Sequence, residues 1–211
     1  MGVERLGLLV DWGGVMTTNL FTSFGAFCEA EGVDASLLRE AFRHDREARE
    51  LLIAFEEGRL EEDAFAAGLA AKLGLAPERA EGMIDRMMAL AVLEPAMVDA
   101  VRAARVAGIR TGLISNSWGA SRYPHDLLRE LFDGVVISGL EGMRKPAPAI
   151  YALGAQRAGV PPEACVFVDD LPFNLEPARE LGMAVVHHTE PAATIRAVED
   201  LLGRRLAGDE A

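Results

Sequence analysis

The run Leu6-Gly7-Leu8-Leu9-Val10-Asp11-Trp12-Gly13-Gly14-Val15 decides how the rest of the chain is read. Leu6 to Val10 is too short for a helix and apolar throughout, as a strand buried on both faces would be. It ends on a carboxylate followed by two glycines, so that both the acid and bare backbone can approach a ligand closely. Three more polar clusters follow along the chain, Ser115-Asn116, Lys145 and Asp169-Asp170.

Working outward, the second half alternates short apolar runs with helical stretches. Thr111 to Ile114, Gly134 to Ile137, Ala164 to Val168 and Met183 to Val186 read as strands. Met97 to Ala107, Pro148 to Ala158, Leu175 to Leu181 and Ala193 to Leu206 read as the helices between and after them. This alternation predicts an α/β fold with a Rossmann-like parallel sheet covered by helices on both faces. The first proline is Pro77, and the preceding segment from Leu20 is rich in Ala, Leu, Glu, Phe and Arg. Apolar residues recur there at helical spacing (Leu51, Leu52, Phe55, then Phe65, Leu69), with Gly32, Gly58 and Gly74 as helix ends. An unstructured linker of that length would be foreign to such a fold. The expected division is therefore a core of residues 1–17 and 93–211 interrupted by an α-helical cap subdomain of residues 18–92.

Composition narrows the partners. The 211 residues carry a net charge of −12, which argues against nucleic acid and against an anionic membrane. No apolar stretch is long enough to span a bilayer. The N-terminus has no basic and apolar leader, and Leu6 spoils a myristoylation signal. The two cysteines, Cys28 and Cys165, fall in a helix and a core strand, as buried thiols in a reducing cytoplasm would.

In an open parallel sheet, ligands bind beyond the carboxyl ends of the strands, where all four polar clusters fall. Asp11 ends the first strand, Ser115 the second, and Asp169-Asp170 the fourth; Lys145 precedes a proline-started helix. A carboxylate such as Asp11 can attack phosphorus. Asp170 with Asp11 can hold Mg²⁺, a hard cation that takes oxygen ligands, and the Gly13 carbonyl could reach it. Ser115 and Asn116 offer donors to phosphate oxygens, Lys145 a positive charge, and Gly13 and Gly14 their amides.

Four segments carry a family likeness: LLVDWGGVMTT (8–18), GLISNSWG (112–119), GLEGMRKPAPAIYALGAQRAGV (139–160) and VFVDDLPFNLEPARELGM (166–183). The chain resembles the haloacid dehalogenase (HAD) superfamily, in the group with a helical cap inserted after the first motif. The resemblance implies a Mg²⁺-dependent phosphatase acting on a small phosphorylated metabolite. It makes Asp11 the nucleophile that forms an aspartyl-phosphate, and gives the phosphate-binding hydroxyl to Ser115 and the lysine role to Lys145. Asp169 and Asp170 become the acidic metal motif, and Asn174 matches an asparagine of the same loop. One position departs. Family phosphatases usually carry a second aspartate two residues after the nucleophile as general acid and base, and here that residue is Gly13. Loss of such assistance costs about 10²–10⁴ in rate. A good leaving group (a sugar 1-phosphate or acyl phosphate), water or a cap residue could compensate.

Two alternatives stand beside this reading. One is a phosphate-binding or regulatory module that has lost turnover with the acid. The other, less favoured, is metal-independent dehalogenation, against which the Asp169-Asp170 pair argues. A mutase is disfavoured because phosphoryl return normally needs the missing residue. Adjacent His187 and His188 point to opposite faces of a strand and read as structural. His44, Asp45 and Arg46 form the most polar cluster of the cap, while Trp12 is expected to shape the pocket or pack under the cap. Met83, Met87 and Met88 read as core or a subunit contact. Either a monomer or a homodimer is compatible with the sequence.

Overall fold

The computed structural model describes residues 4–206. Five strands form one sheet: β1 (Gly7–Val10), β2 (Arg110–Ser115), β3 (Gly134–Ile137), β4 (Cys165–Asp169) and β5 (Ala184–His187). Every pairing is parallel and the order is β3-β2-β1-β4-β5. The chain thus builds outward from β1 to β3, then returns to lay β4 on the other side of β1. That reversal opens a crevice at the carboxyl ends of β1 and β4, where ligands bind in such sheets.

Between β1 and β2 lie α1 (Leu20–Glu31), α2 (Ala35–His44), α3 (Arg46–Glu56), α4 (Glu62–Lys72) and α5 (Met83–Met87). They close around their own apolar cluster, which includes Phe24, Phe27, Phe55, Phe65, Leu69, Met83 and Met87. The segments entering and leaving this helical unit run side by side: Thr17 bridges Leu93, and the Thr18 amide donates to the Val92 carbonyl at 2.8 Å.

The remaining helices are α6 (Pro95–Val106), α7 (His125–Leu131), α8 (Ser138–Glu141), α9 (Pro148–Ala158), α10 (Pro172–Glu180) and α11 (Pro191–Leu202). Side chains of a strand alternate between faces, which sorts the core into two layers. Leu8, Val10, Leu113, Val166 and Val168 pack with α6, α7 and α11. Leu9, Ile114, Val136 and Phe167 pack with α9 and α10. The result is a parallel sheet with helices on both faces.

Helix boundaries differ from the sequence reading for clear reasons. Pro95, Pro172 and Pro191 sit in the first turns of α6, α10 and α11, so these helices begin two or three residues earlier than expected. Proline is favoured there because its missing N–H would have no intrahelical partner. Gly203, at φ +62°, stops α11 at Leu202 rather than Leu206. Gly32, Gly58 and Gly74 do follow the ends of α1, α3 and α4. Cys28 and Cys165 are buried free thiols. Among the described residues no helix is long and apolar enough to cross a membrane.

Candidate active site

Strand parity aims the acids. Asp11 lies one step past Val10, in phase with Leu9, and Asp169 is in phase with Phe167. Both therefore look towards the layer of α9 and α10. Lys145 rises into the same space from the loop before α9 and is fully buried. Its Nζ lies 2.8 Å from Asp11 Oδ1 and 2.6 Å from Asp169 Oδ2, and 5.7 Å from the centre of the Phe167 ring. An ammonium removed from water costs several kcal/mol unless it is well paired, and here two carboxylates pair it. Burial alone would lower the Lys145 pKa; Asp11 and Asp169 outweigh that and hold it above the usual lysine range.

One lysine cannot neutralise three acids. Burial pushes the Asp11 pKa up to about 8, with Asp169 and Asp170 adding to the rise and Lys145 opposing it. Burial and the neighbouring Asp169 push Asp170 up to about 6. Asp169 is held in place from below: Asn174 Nδ2 donates to its two oxygens at 2.9 and 3.1 Å, and the Leu171 amide at 2.9 Å. Asp11, Asp169 and Asp170 each present an oxygen to one spot, all within 4.8 Å of one another. Asp170 Oδ1 is enclosed yet has no hydrogen-bond partner among the described residues. An enclosed, unpaired carboxylate oxygen is unfavourable by itself. Three converging carboxylates, one carrying such an oxygen, fit a hard divalent cation.

The Gly14 amide donates to Thr17 Oγ1 at 3.2 Å. What Gly14 provides is room, because a Cβ there would lie 2.4 Å from Asp170 Oδ2. Gly13 is half-buried under α1, where a Cβ would come within 2.6 Å of Leu20 Cδ1.

Ser115 and Asn116 part company. Ser115 closes β2 at its carboxyl end, and its Oγ lies 2.8 Å from the Tyr123 hydroxyl. The Asn116 side-chain amide joins the Lys145 loop to the helical unit. Its Oδ1 accepts the Lys145 amide at 2.8 Å, while Nδ2 donates to the Lys145 carbonyl at 3.2 Å and Glu56 Oε2 at 3.3 Å. Asn116 thus fixes the backbone that carries Lys145.

Four residues of this region went unread in the sequence: Glu56, Trp118, Tyr123 and Arg144. Glu56 ends α3, is 5% exposed and pairs with Arg144. Its sequence signal was an acid in the last turn of a helix, against the helix dipole. Trp118, in the loop after β2, inserts among Phe24, Phe42, Phe55 and Phe65, with ring centroids 5.1–6.2 Å away. Tyr123 gave no local signal. His44, Asp45 and Arg46 lie at the opposite end of the 11-residue α3, about 16 Å from Glu56 at 1.5 Å per residue. Asp45 caps that helix and pairs with Lys72. Trp12 packs against the core layer and the Tyr123 ring, 5.7 Å away. His187 contacts the Asp170 carbonyl at 3.1 Å and His188 contacts Thr194 at 2.9 Å, so the pair diverges.

A family model described as haloacid dehalogenase-like hydrolase matches residues 7–182. The mouse acyl-CoA dehydrogenase family member 10 is 37% identical over 113 residues, covering 52% of this chain and 10% of that protein. Fructose-1-phosphate phosphatase YqaB of Escherichia coli is 37% identical over 116 residues, covering 53% of this chain and 60% of its own. The sesquiterpene phosphatase astK of Aspergillus oryzae is 27% identical over 155 residues, covering 71% and 78%. The chain thus spans a tenth of the mouse protein, and 23% of the rat bifunctional epoxide hydrolase 2 that it also resembles. Among solved structures, a HAD family enzyme from Bacteroides thetaiotaomicron with magnesium and inorganic phosphate superposes at a TM-score of 0.63 and 20% identity. That match covers 89% of this chain and 95% of the other, and at such identity it speaks for the fold alone.

Proposed function

The chain belongs to the haloacid dehalogenase-like hydrolases, and from that premise we propose a Mg²⁺-dependent phosphatase acting on a small phosphorylated metabolite. The observation that carries this reading is the buried Lys145 bridging Asp11 and Asp169, with an unpaired Asp170 oxygen beside them. Phosphatases among the relatives support it. We assign residues 1–17 and 93–211 to the core, of which 1–3 and 207–211 lie outside the described residues, and residues 18–92 to the cap.

In this scheme Asp11 attacks phosphorus and becomes the aspartyl-phosphate, which water then hydrolyses. Lys145 orients Asp11 and offsets the charge on the transferring group. Ser115 donates to a phosphate oxygen, and Asn116 holds Lys145 in register. Asp11, Asp169 and Asp170, with the Gly13 carbonyl, would hold Mg²⁺, which when bound supplies positive charge to the phosphoryl oxygens. The helical cap excludes bulk water. The acidic trio weighs against metal-independent dehalogenation, which gains nothing from a cation. The net charge of −12 weighs against nucleic acid and membranes as partners, and the two buried thiols suit a reducing cytoplasm. Gly13 gives the binding-module reading its one specific support.

The test is phosphate release from sugar phosphates, acyl phosphates and p-nitrophenyl phosphate, with Mg²⁺ and with EDTA. Mg²⁺-dependent turnover lost in Asp11→Asn is the expected result. Mg²⁺ binding without turnover of any substrate would replace the phosphatase with the binding module.

A further inference from the structure

Gly13 removes the usual proton donor, yet the structure brings a second buried carboxyl to the site from the cap. Glu56 ends α3 and is 5% exposed. Its Oε2 is held by Arg144 Nε and by Asn116 Nδ2, the same amide that clamps the Lys145 backbone. The Glu56 main-chain carbonyl accepts from the Ser138 hydroxyl, so the end of the helix is fixed on the core. Its other carboxyl oxygen, Oε1, has no hydrogen-bond partner among the described residues. The enclosed unpaired side-chain atoms there are Arg105 Nη1, Asp170 Oδ1 and Asn174 Oδ1, so Oε1 opens onto accessible space instead. Through Asn116, which bonds both Glu56 and the Lys145 backbone, the carboxyl sits beside the residue that carries the site's lysine.

We propose that Glu56 supplies the general acid–base function absent at Gly13. The proposal rests on the phosphatase reading above. In the first half-reaction the bond from phosphorus to the leaving oxygen breaks with its electron pair on oxygen. The proton on Glu56 Oε1 passes to that oxygen, giving a free alcohol, a Glu56 carboxylate and phosphorylated Asp11. In the second, water enters where the alcohol left and gives one proton back to Glu56 as its oxygen bonds to phosphorus. The Asp11–phosphorus bond then breaks, returning the Asp11 carboxylate and releasing inorganic phosphate. Oε2 stays on Arg144 and Asn116 throughout, and so keeps Oε1 aimed. The charged and titratable groups around Glu56 are Arg144, Lys145, Tyr123 and Glu57. Burial outweighs the pull of Arg144 and Lys145 and holds the carboxyl above its usual range, which favours the protonated donor.

A general acid matters most for a poor leaving group. The experiment measures kcat/KM of the Mg²⁺-loaded protein and of Glu56→Gln on p-nitrophenyl phosphate and on an alkyl monoester such as glycerol phosphate. The loss on the alkyl ester should reach about 10²–10⁴ and exceed that on the aryl ester at least tenfold. The alkaline limb of the alkyl-ester pH profile should vanish as well. Equal loss on both esters, or loss on neither, overturns the proposal. Wild type gives a second test that needs no folded variant. Across aryl phosphates of rising leaving-group pKa, kcat/KM should fall only shallowly, and a steep fall overturns the assignment. Absence of any Mg²⁺-dependent turnover of p-nitrophenyl phosphate by wild type would instead remove the phosphatase reading, and this inference with it.

Discussion

The floor and the roof of the site are built by opposite means. The floor is charge held without water: Lys145 is fully buried between Asp11 and Asp169, and Asp169 rests on Asn174. Its positions follow from strand register, since Asp11 and Asp169 continue neighbouring parallel strands. The roof is largely apolar. Trp118 reaches from the core into four phenylalanines of the helical unit, and the Phe55 and Phe65 rings stack at 4.4 Å. Its ion pairs to the core are Glu56 to Arg144, and Arg122 to Glu62 and Asp85. Buried ion pairs hold only when their charges are fully matched, whereas the aromatic layer holds by buried area and ring contacts. The sheet therefore carries the charged groups, and the helical unit meets it through a packed apolar layer.

The largest effect should come from breaking the floor. Lys145→Met leaves three carboxylates facing one another and should cost about 3–5 kcal/mol in urea unfolding of the metal-free protein. Turnover should fall about 10²–10³ as well, since a positioned charge is lost. A variant as stable as wild type would show that the buried pairs contribute nothing net. Trp118→Ala strikes the roof and should cost less than the about 3–5 kcal/mol of a fully buried indole, because this one is only partly buried. Its kinetic signature should differ too, with KM rising more than kcat falls. If kcat collapses instead while KM holds, the roof takes part in the chemistry as directly as the floor.

The same contrast explains what the sequence disclosed. Asp11, Asp169 and Asp170 were legible because each ends or follows a short apolar strand and parallel topology brings such ends together, and Lys145 because it stands in the loop before a proline-started helix. The five strands were legible for the same reason, while α10 and α11 were misread where a proline opened the helix and a glycine closed it. Glu56 was hidden, since nothing local tells which end of a cap helix faces the core. The polar triplet His44-Asp45-Arg46 lies at the other end of α3 from Glu56. Asn116 showed its type and place but not its partners, because those come from Lys145 and from a helix 60 residues away.

Metal and pH should separate the two regions again. Asp170 and Asp11 have pKa values raised to about 6 and about 8, above the ordinary carboxylate value they regain on unfolding. Between pH 4 and those values the folded protein holds more protons than the unfolded chain, so stability must fall as pH rises. The limiting slope is about 1.4 kcal/mol per pH unit for each group, less where solvent screens it. A cation bound to the deprotonated acids reverses the trend, so thermal stabilisation by Mg²⁺ over EDTA should grow from pH 5 to pH 8. A stabilisation independent of pH would place the cation away from these acids. Trp118→Ala should leave the contribution of Asp11 and Asp170 to the slope unchanged, because its ring packs on Phe24, Phe42, Phe55 and Phe65 and not on those acids.

Two glycines give the smallest and sharpest contrast. Gly14 at φ +79° and Gly58 at φ +68° both occupy the left-handed region, where an alanine costs about 1–2 kcal/mol. The backbone penalty is shared, but the obstacles differ. A Cβ on Gly14 meets the Asp170 carboxylate at 2.4 Å, and one on Gly58 meets the Gly139 carbonyl at 2.3 Å. Gly14→Ala should thus weaken Mg²⁺ binding in a calorimetric titration, because the displaced group is a proposed ligand. Gly58→Ala should leave Mg²⁺ affinity near wild type and raise KM, since it lifts the end of α3 from the core. Equal losses of Mg²⁺ affinity in both variants would mean that floor and roof move as one body. The division between a charged floor and an apolar roof would then fail.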